Sequence, residues 1–262
     1  MPLLQFNEAQ IQAIQHNTGP CMVIAGPGSG KTTVLTHRVR YLIERYGVNP
    51  SDILVITFTK AAAEQMKLKF KGLSEGRNFA VTFGTFHAVF FTILKAAYNY
   101  SAHCIIKPQI QHEFVKDQMC RLELEYDDEN EAVAGVLSEI SCVKGEAVNI
   151  DEYESRCIPP QSFRIMYRAY DDMLVRKHLI DFDDMIVQCR ELLMQREDYR
   201  RAWQNKYKYI LIDEFQDINK AQFDVVRILA DEYRNLFVVG DDDQSIYAFR
   251  GARPDFLLHF PT

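Results

Sequence analysis

Residues 22–35 read MVIAGPGSGKTTVL, an apolar run that turns through three glycines and leaves on a lysine and two threonines. The apolar run predicts a buried strand. Behind the loop, Leu35, Val39, Leu42 and Ile43 fall at i, i+4, i+7 and i+8 and predict a helix. A loop that leaves a buried strand and enters a helix exposes unpaired backbone N–H groups beside the positive end of the helix dipole, so it attracts anions. Gly26, Gly28 and Gly30 let the backbone curl without side-chain clashes, Lys31 supplies a cation and Thr32 a hydroxyl for a magnesium ion. Together with Ala25, Pro27, Ser29 and Thr33 these residues make a phosphate cradle, Ala25 standing where the strict pattern has glycine.

The rest of the chain says what kind of sheet holds that loop. Short apolar runs at 21–25, 53–58, 80–86, 209–213 and 236–240 are bounded by turn or polar residues, as strands buried on both faces of a parallel sheet should be. Helical patterns lie between them, among them Ala62, Met66 and Phe70 at every fourth position. This is a βαβ rhythm, and the fold class it predicts is α/β, a parallel sheet with helices on both faces. From 91 to 205 the rhythm gives way to helical stripes: Val115, Met119 and Leu122; Val133, Leu137 and Ile140; Phe163, Tyr167, Tyr170 and Leu174. An acidic turn at 126–131 and the pair Pro159-Pro160 break this region. The expected division is a sheet domain in two parts, 1–90 and 206–262, around a mostly α-helical inserted subdomain at 91–205.

A phosphate cradle needs a metal partner, and a strand that ends in acids is the usual supplier. The run YILIDEFQD provides one: Asp213 at the strand end as a magnesium ligand, Glu214 as the group that orients and deprotonates an attacking water. An isolated Asp-Glu pair is most simply a solvated strand end. Paired with the cradle, and separated from it by an insertion that returns to the same sheet, it reads as catalytic. Further on, VGDDDQSIYAFRGA puts Gln244 within reach of a γ-phosphate and Tyr247, Phe249 and Arg250 toward a nucleic-acid groove, so one loop would touch both ligands.

At this point the sequence resembles superfamily 1 DNA helicases of the UvrD, Rep and PcrA type, in their N-terminal RecA-like, P-loop NTPase domain. FNEAQIQAI is similar to the family's adenine-reading segment, with Gln10 offering its amide to the base. ITFTKAAAEQMK is similar to a first DNA-contact motif containing Thr57, Phe58 and Thr59, and GTFH to a second, containing Thr85 and His87. DFDD (181–184), DEFQD and the loop around Gln244 follow in family order. The resemblance implies ATP and Mg²⁺ as cofactors, Lys31, Glu214 and Gln244 as catalytic residues, and an ATP-dependent motor that moves 3′ to 5′ on single-stranded DNA and opens duplex junctions. It also implies a second RecA-like domain, expected to lie outside this chain, so that the isolated piece should hydrolyse ATP slowly. Phe249 stands where many of the family have Trp, and Thr33 where several have Arg.

Composition narrows the alternatives. With a formal net charge of −6 the chain is not one that coats nucleic acid by bulk electrostatics, so DNA must meet a local groove. The six cysteines are scattered without a C-x-x-C pair, which argues against zinc or an iron–sulfur cluster. There is no stretch of membrane-spanning length and no signal-peptide pattern at the N-terminus, so a cytoplasmic protein is expected. Two other readings use the same motifs: the motor part of a RecB- or AddA-type helicase-nuclease, and an ATP-gated DNA-binding module that does not unwind. Oligomeric state is not legible.

Overall fold

The computed structural model describes residues 5–241. Gln244, Tyr247, Phe249 and Arg250 lie outside the described residues.

All five expected strands form: β1 (Cys21–Ile24), β2 (Ile53–Thr57), β3 (Thr82–Thr85), β4 (Tyr209–Ile212) and β5 (Leu236–Gly240). They build one parallel sheet in the order β1-β5-β4-β2-β3. Ten α-helices accompany them among the described residues: α1 (Glu8–Gln15), α2 (Lys31–Tyr46), α3 (Lys60–Leu73), α4 (Phe86–Ala97), α5 (Pro108–Arg121), α6 (Glu129–Glu146), α7 (Pro160–Arg176), α8 (Phe182–Gln195), α9 (Glu197–Lys206) and α10 (Lys220–Ala230).

Strand order and handedness together fix where the helices go. The chain travels one way across the sheet from β1 to β2 to β3, through α2 and α3, and travels back from β4 to β5 through α10. Because such crossovers are right-handed, reversing the direction of travel moves the connecting helix to the other face. The two cores show this. Val34, Leu35, Val39 and Leu42 of α2 and Met66 and Phe70 of α3 meet Ile53, Val55, Leu211, Phe237 and Val239 on one face. On the other, α4, α8, α9 and α10 cover Leu54, Ile56, Ile210, Ile212, Leu236 and Val238. Alternate residues of a strand point to opposite faces, so the central strands are apolar on both, at 53–56 of β2, 210–212 of β4 and 236–239 of β5.

Two details differ from the sequence reading. Only β2 and β5 are buried throughout, and β4 from Ile210 onward; β1 and β3 are half-buried because each has a strand neighbour on one side among the described residues, and Ile24 is exposed. On α3 the inward face runs through Ala63, Met66 and Phe70 rather than Ala62, since i, i+3 and i+7 keep closer to a 3.6-residue turn than two steps of four.

The helical region carries a core of its own. Ile106, Val115 and Met119 pack with Val133, Val136, Ile140 and Val143 of α6 and with Phe163, Met166, Tyr170 and Leu174 of α7. The two prolines act as a helix start: Pro159 holds the N-cap and Pro160 the first turn of α7, where a missing N–H costs nothing. The acidic turn likewise ends in a cap, Asp128 accepting from the Glu131 amide while Glu129 and Glu131 complement the α6 dipole. Helices α8 and α9, though within 91–205, share the core of the sheet. No described helix is long and apolar enough to cross a membrane.

Candidate functional site

The sheet order sets the residues that follow each strand side by side along its C-terminal edge. Ala25 follows β1, Asp241 follows β5, Asp213 follows β4, Phe58 follows β2 and Phe86 follows β3. In parallel α/β sheets ligands bind outside this edge, where the direction of travel reverses. Among the described residues, the cradle and the acids occupy the β1-β5-β4 stretch, and Thr57, Phe58, Thr59, Thr85 and His87 the adjoining β2-β3 stretch.

The cradle is built for an anion. Six of the helices, including α3, α4 and α10, begin with a side chain bonded to a first-turn amide. Helix α2 does not: its N-cap is Gly30, with φ 81° and no side-chain cap, so its first-turn amides stay open toward the loop. Gly28 is also left-handed at φ 71°, a conformation that favours glycine. A Cβ built at Gly26 or Gly28 meets nothing within 4 Å, so the demand at Gly28 is conformational. The buried Ser29 hydroxyl has no hydrogen-bond partner. Lys31 Nζ donates to Ala25 O at 2.9 Å and pairs with Asp241 Oδ2 at 3.1 Å.

Gln10 stands against this loop, its Nε2 donating to Ser29 O at 3.0 Å while its Oε1 accepts from the Asn7 amide at 3.0 Å. Both ends of the amide expected to read a base are thus engaged, one of them in the capping box of α1. Helix α1 is held down by Arg38, a guanidinium buried 4.3 Å above the Phe237 ring and bonded to the carbonyls of Ala13 and His16 at the helix end. Burial pushes Arg38 down to about 10.

The acids meet the cradle. Thr32 Oγ1 donates to Asp213 Oδ2 at 3.3 Å. Burial, with the neighbouring Glu214 charge, raises Asp213 to about 6, while the Glu214 amide, Thr32 and Lys31 pull the other way. Among the described residues no cluster of three or more His, Cys, Asp or Glu side chains could cage a metal. One hydroxyl beside one carboxylate does fit magnesium, which keeps several waters and takes further oxygens from phosphates.

Glu214 has φ 54°, and unlike Glu75, Glu123, Ala147 and His178, which share that conformation just after helices, it follows a strand. A non-glycine residue held there costs on the order of 1–3 kcal/mol, typical of functional turns. Sequence reasoning passed over three neighbours. Gln216 Nε2 donates to Glu214 Oε2 at 2.8 Å, and Gln216 Oε1 accepts from the Asp241 amide at 3.0 Å. Asp217 has a buried oxygen without a partner and is raised to about 6 by burial and by Glu214. All three belonged to motifs already recognised, but nothing in the sequence said that the turn after β4 would touch the end of β5.

On the other half of the edge the expected residues divide. Thr57, paired in register with Thr85, is 2% exposed, so it supports the strand end rather than presenting a surface hydroxyl. Phe58 is half-buried, its ring edge-on to Phe86 at 5.1 Å. Thr59 and Thr85 cap α3 and α4, accepting from Ala62 N at 3.1 Å and Ala88 N at 3.2 Å. His87 lies edge-on to Phe182, ring centroids 5.4 Å apart, and Phe182 is 53% exposed. That exposed ring was missed, although DFDD had been singled out.

Phe182 is held by charge behind it. Asp181 and Asp184 form the capping box of α8, and both carboxylates reach Lys144 Nζ of α6, at 2.9 and 2.7 Å, with Asp171 at 3.1 Å. The Lys144 side chain is 4% exposed; burial alone would lower it, but the three carboxylates outweigh burial and raise it. This bolt joins the helical region's core to α8 and so to the sheet.

The family model described as the UvrD/REP helicase N-terminal domain matches residues 6–262. The chain is 37% identical to YjcD of Bacillus subtilis across 99% of its own length and 35% of that protein. It is 35% identical to the ATP-dependent DNA helicase PcrA of Staphylococcus epidermidis across 97% of the chain and 35% of that protein. To the ATP-dependent DNA helicase Rep of Escherichia coli it is 36% identical, across 97% of the chain and 38% of Rep. The chain therefore spans about a third of the length of these relatives.

Proposed function

Because this chain belongs to the UvrD/REP helicase N-terminal domain family, we propose that it is the ATP-binding motor domain of a DNA helicase that couples hydrolysis to movement along single-stranded DNA and duplex opening, 3′ to 5′. The observation that carries the reading is the single edge on which Lys31, Thr32, Asp213 and Glu214 adjoin Phe58, Thr85 and His87.

In this reading the α2 amides and Lys31 receive the outer phosphates of ATP. Thr32 and Asp213 hold magnesium, which when bound neutralises charge on the phosphate oxygens. Glu214 orients a water and takes its proton. The aromatic rings of Phe58, His87 and Phe182 offer faces to bases of any identity. Gln244 is assigned to the γ-phosphate, and Tyr247, Phe249 and Arg250 to DNA. Arginines from a second RecA-like domain, supplied from outside these residues, complete the ATP site, and closure of the two domains turns hydrolysis into steps.

The test is a parallel titration of this chain and of the full-length protein with ATP-magnesium and single-stranded DNA. Both should bind ATP, with DNA-stimulated turnover only at full length. Normal turnover by full-length Lys31→Ala or Glu214→Gln would remove the assignment.

A further inference from the structure

Glu214 carries a flexible carboxylate, and a proton acceptor that swings freely spends little of its time aligned with a water. In this chain one of its oxygens is already fixed, by a side chain two residues on. We propose that Gln216 is a positioning residue for ATP hydrolysis, setting the Glu214 carboxylate against the end of β5; this rests on the reading of Glu214 as the group that takes the water's proton.

Three observations converge on it. Gln216 is buried, and both ends of its amide are used: Nε2 donates to Glu214 Oε2 at 2.8 Å and Oε1 accepts from the Asp241 amide at 3.0 Å. Its turn, Phe215–Asp217, opens on Glu214 in the left-handed conformation, so backbone and side chain are constrained together. The far anchor is itself fixed, because Asp241 is fully buried and its Oδ2 pairs with Lys31 Nζ at 3.1 Å. Lys31, Asp241, Gln216 and Glu214 thus form one continuous hydrogen-bonded chain across the ends of β1, β5 and β4.

The chemistry of the link explains why the residue is glutamine. It must donate to a carboxylate and accept from a backbone N–H. Glutamate has no donor when ionised, lysine has no acceptor, and asparagine is one methylene shorter. A cation would also hold Glu214 but would stabilise its ionised form and weaken it as a base. The neutral amide orients the carboxylate while leaving its charge available.

The experiment compares Gln216→Glu, Gln216→Met and Glu214→Gln in the full-length protein, reading DNA-stimulated kcat, KM for ATP and Tm. Gln216→Glu keeps the acceptor for the Asp241 amide and loses the donor to Glu214; Gln216→Met loses both. The proposal expects kcat to fall on the order of 100-fold in both Gln216 variants, with KM for ATP within about twofold of wild type. Tm should fall in both variants, in Gln216→Met through the two lost bonds and in Gln216→Glu through the second buried carboxylate beside Glu214, while the fall in kcat is similar in the two whichever loses more Tm. Wild-type kcat in Gln216→Glu, or kcat losses that simply follow Tm across the two variants, would overturn it. Undiminished turnover by Glu214→Gln would overturn the base assignment, and the positioning role with it. Inactive Glu214→Gln beside fully active Gln216 variants would overturn the positioning role alone.

Discussion

The Thr32 hydroxyl donates to Asp213 Oδ2 across 3.3 Å, joining residues 181 positions apart in the chain. The sheet makes this meeting possible: β5 lies between β1 and β4, so the loop after β1 and the acids after β4 converge over the end of a single strand. Asp241, at that end, takes the Lys31 ammonium. One carboxylate is thereby left to the hydroxyl and another to the lysine.

Asp213 should make the folded protein less stable than it would be without the charge. Its carboxyl is raised from 3.8 to about 6, by burial first and Glu214 second, so between those values the native state binds more protons than the unfolded chain. Stability contributed at this position is therefore lost as pH rises from about 4 to about 6, to the extent of roughly 3 kcal/mol. Asp213→Asn should abolish ATP turnover yet raise resistance to urea at pH 7.5, with little gain at pH 4. A gain of equal size at both pH values would refute the electrostatic account.

Lys144 holds three carboxylates at once, and removing it leaves them facing one another in a mostly buried space. Lys144→Met, which keeps much of the volume, should cost about 3–5 kcal/mol by urea denaturation. Asp171→Asn should cost under about 1 kcal/mol, since that carboxylate is 41% exposed. Equal effects from the two substitutions would show that the bolt is not centred on the lysine.

His87 and Phe182 should act as a pair on DNA. If bases stack on these rings, His87→Ala or Phe182→Ala in the full-length protein should weaken single-strand binding by about 1–3 kcal/mol, with little dependence on base composition. KM for ATP should not change, since neither ring neighbours the cradle. Fluorescence anisotropy with homopolymeric oligonucleotides reads this directly; unaltered affinity in both variants would assign the pair to packing.

How legible these groups were follows from how local their signals are. The five strands and the cradle loop could be read because each depends on its neighbours in sequence, through apolar period and glycine at a left-handed position, whereas the acidic turn and the proline pair were legible as breaks and only the structure makes Asp128 and Pro160 helix starts. Thr57 was legible as part of a motif but not as buried, since exposure at a strand end depends on what the adjacent strand and helices cover. The same limit hid Phe182, whose ring is exposed although its neighbours at 181 and 185 are buried.

The sequence by itself determined the kind of site: a glycine-rich loop before a helix, a lysine and threonine at its mouth, and acids at a later strand end, because that chemistry is carried by residue types at short spacing. Only the tertiary structure decided who meets whom. The order β1-β5-β4-β2-β3 sets the phosphate half against the nucleic-acid half on one edge, brings Asp241 to Lys31, and lets Gln216 reach from Glu214 to the end of β5. Those contacts join segments far apart in the chain. They arise from right-handed crossovers that reverse direction across the sheet, a geometry that no short stretch of residues encodes.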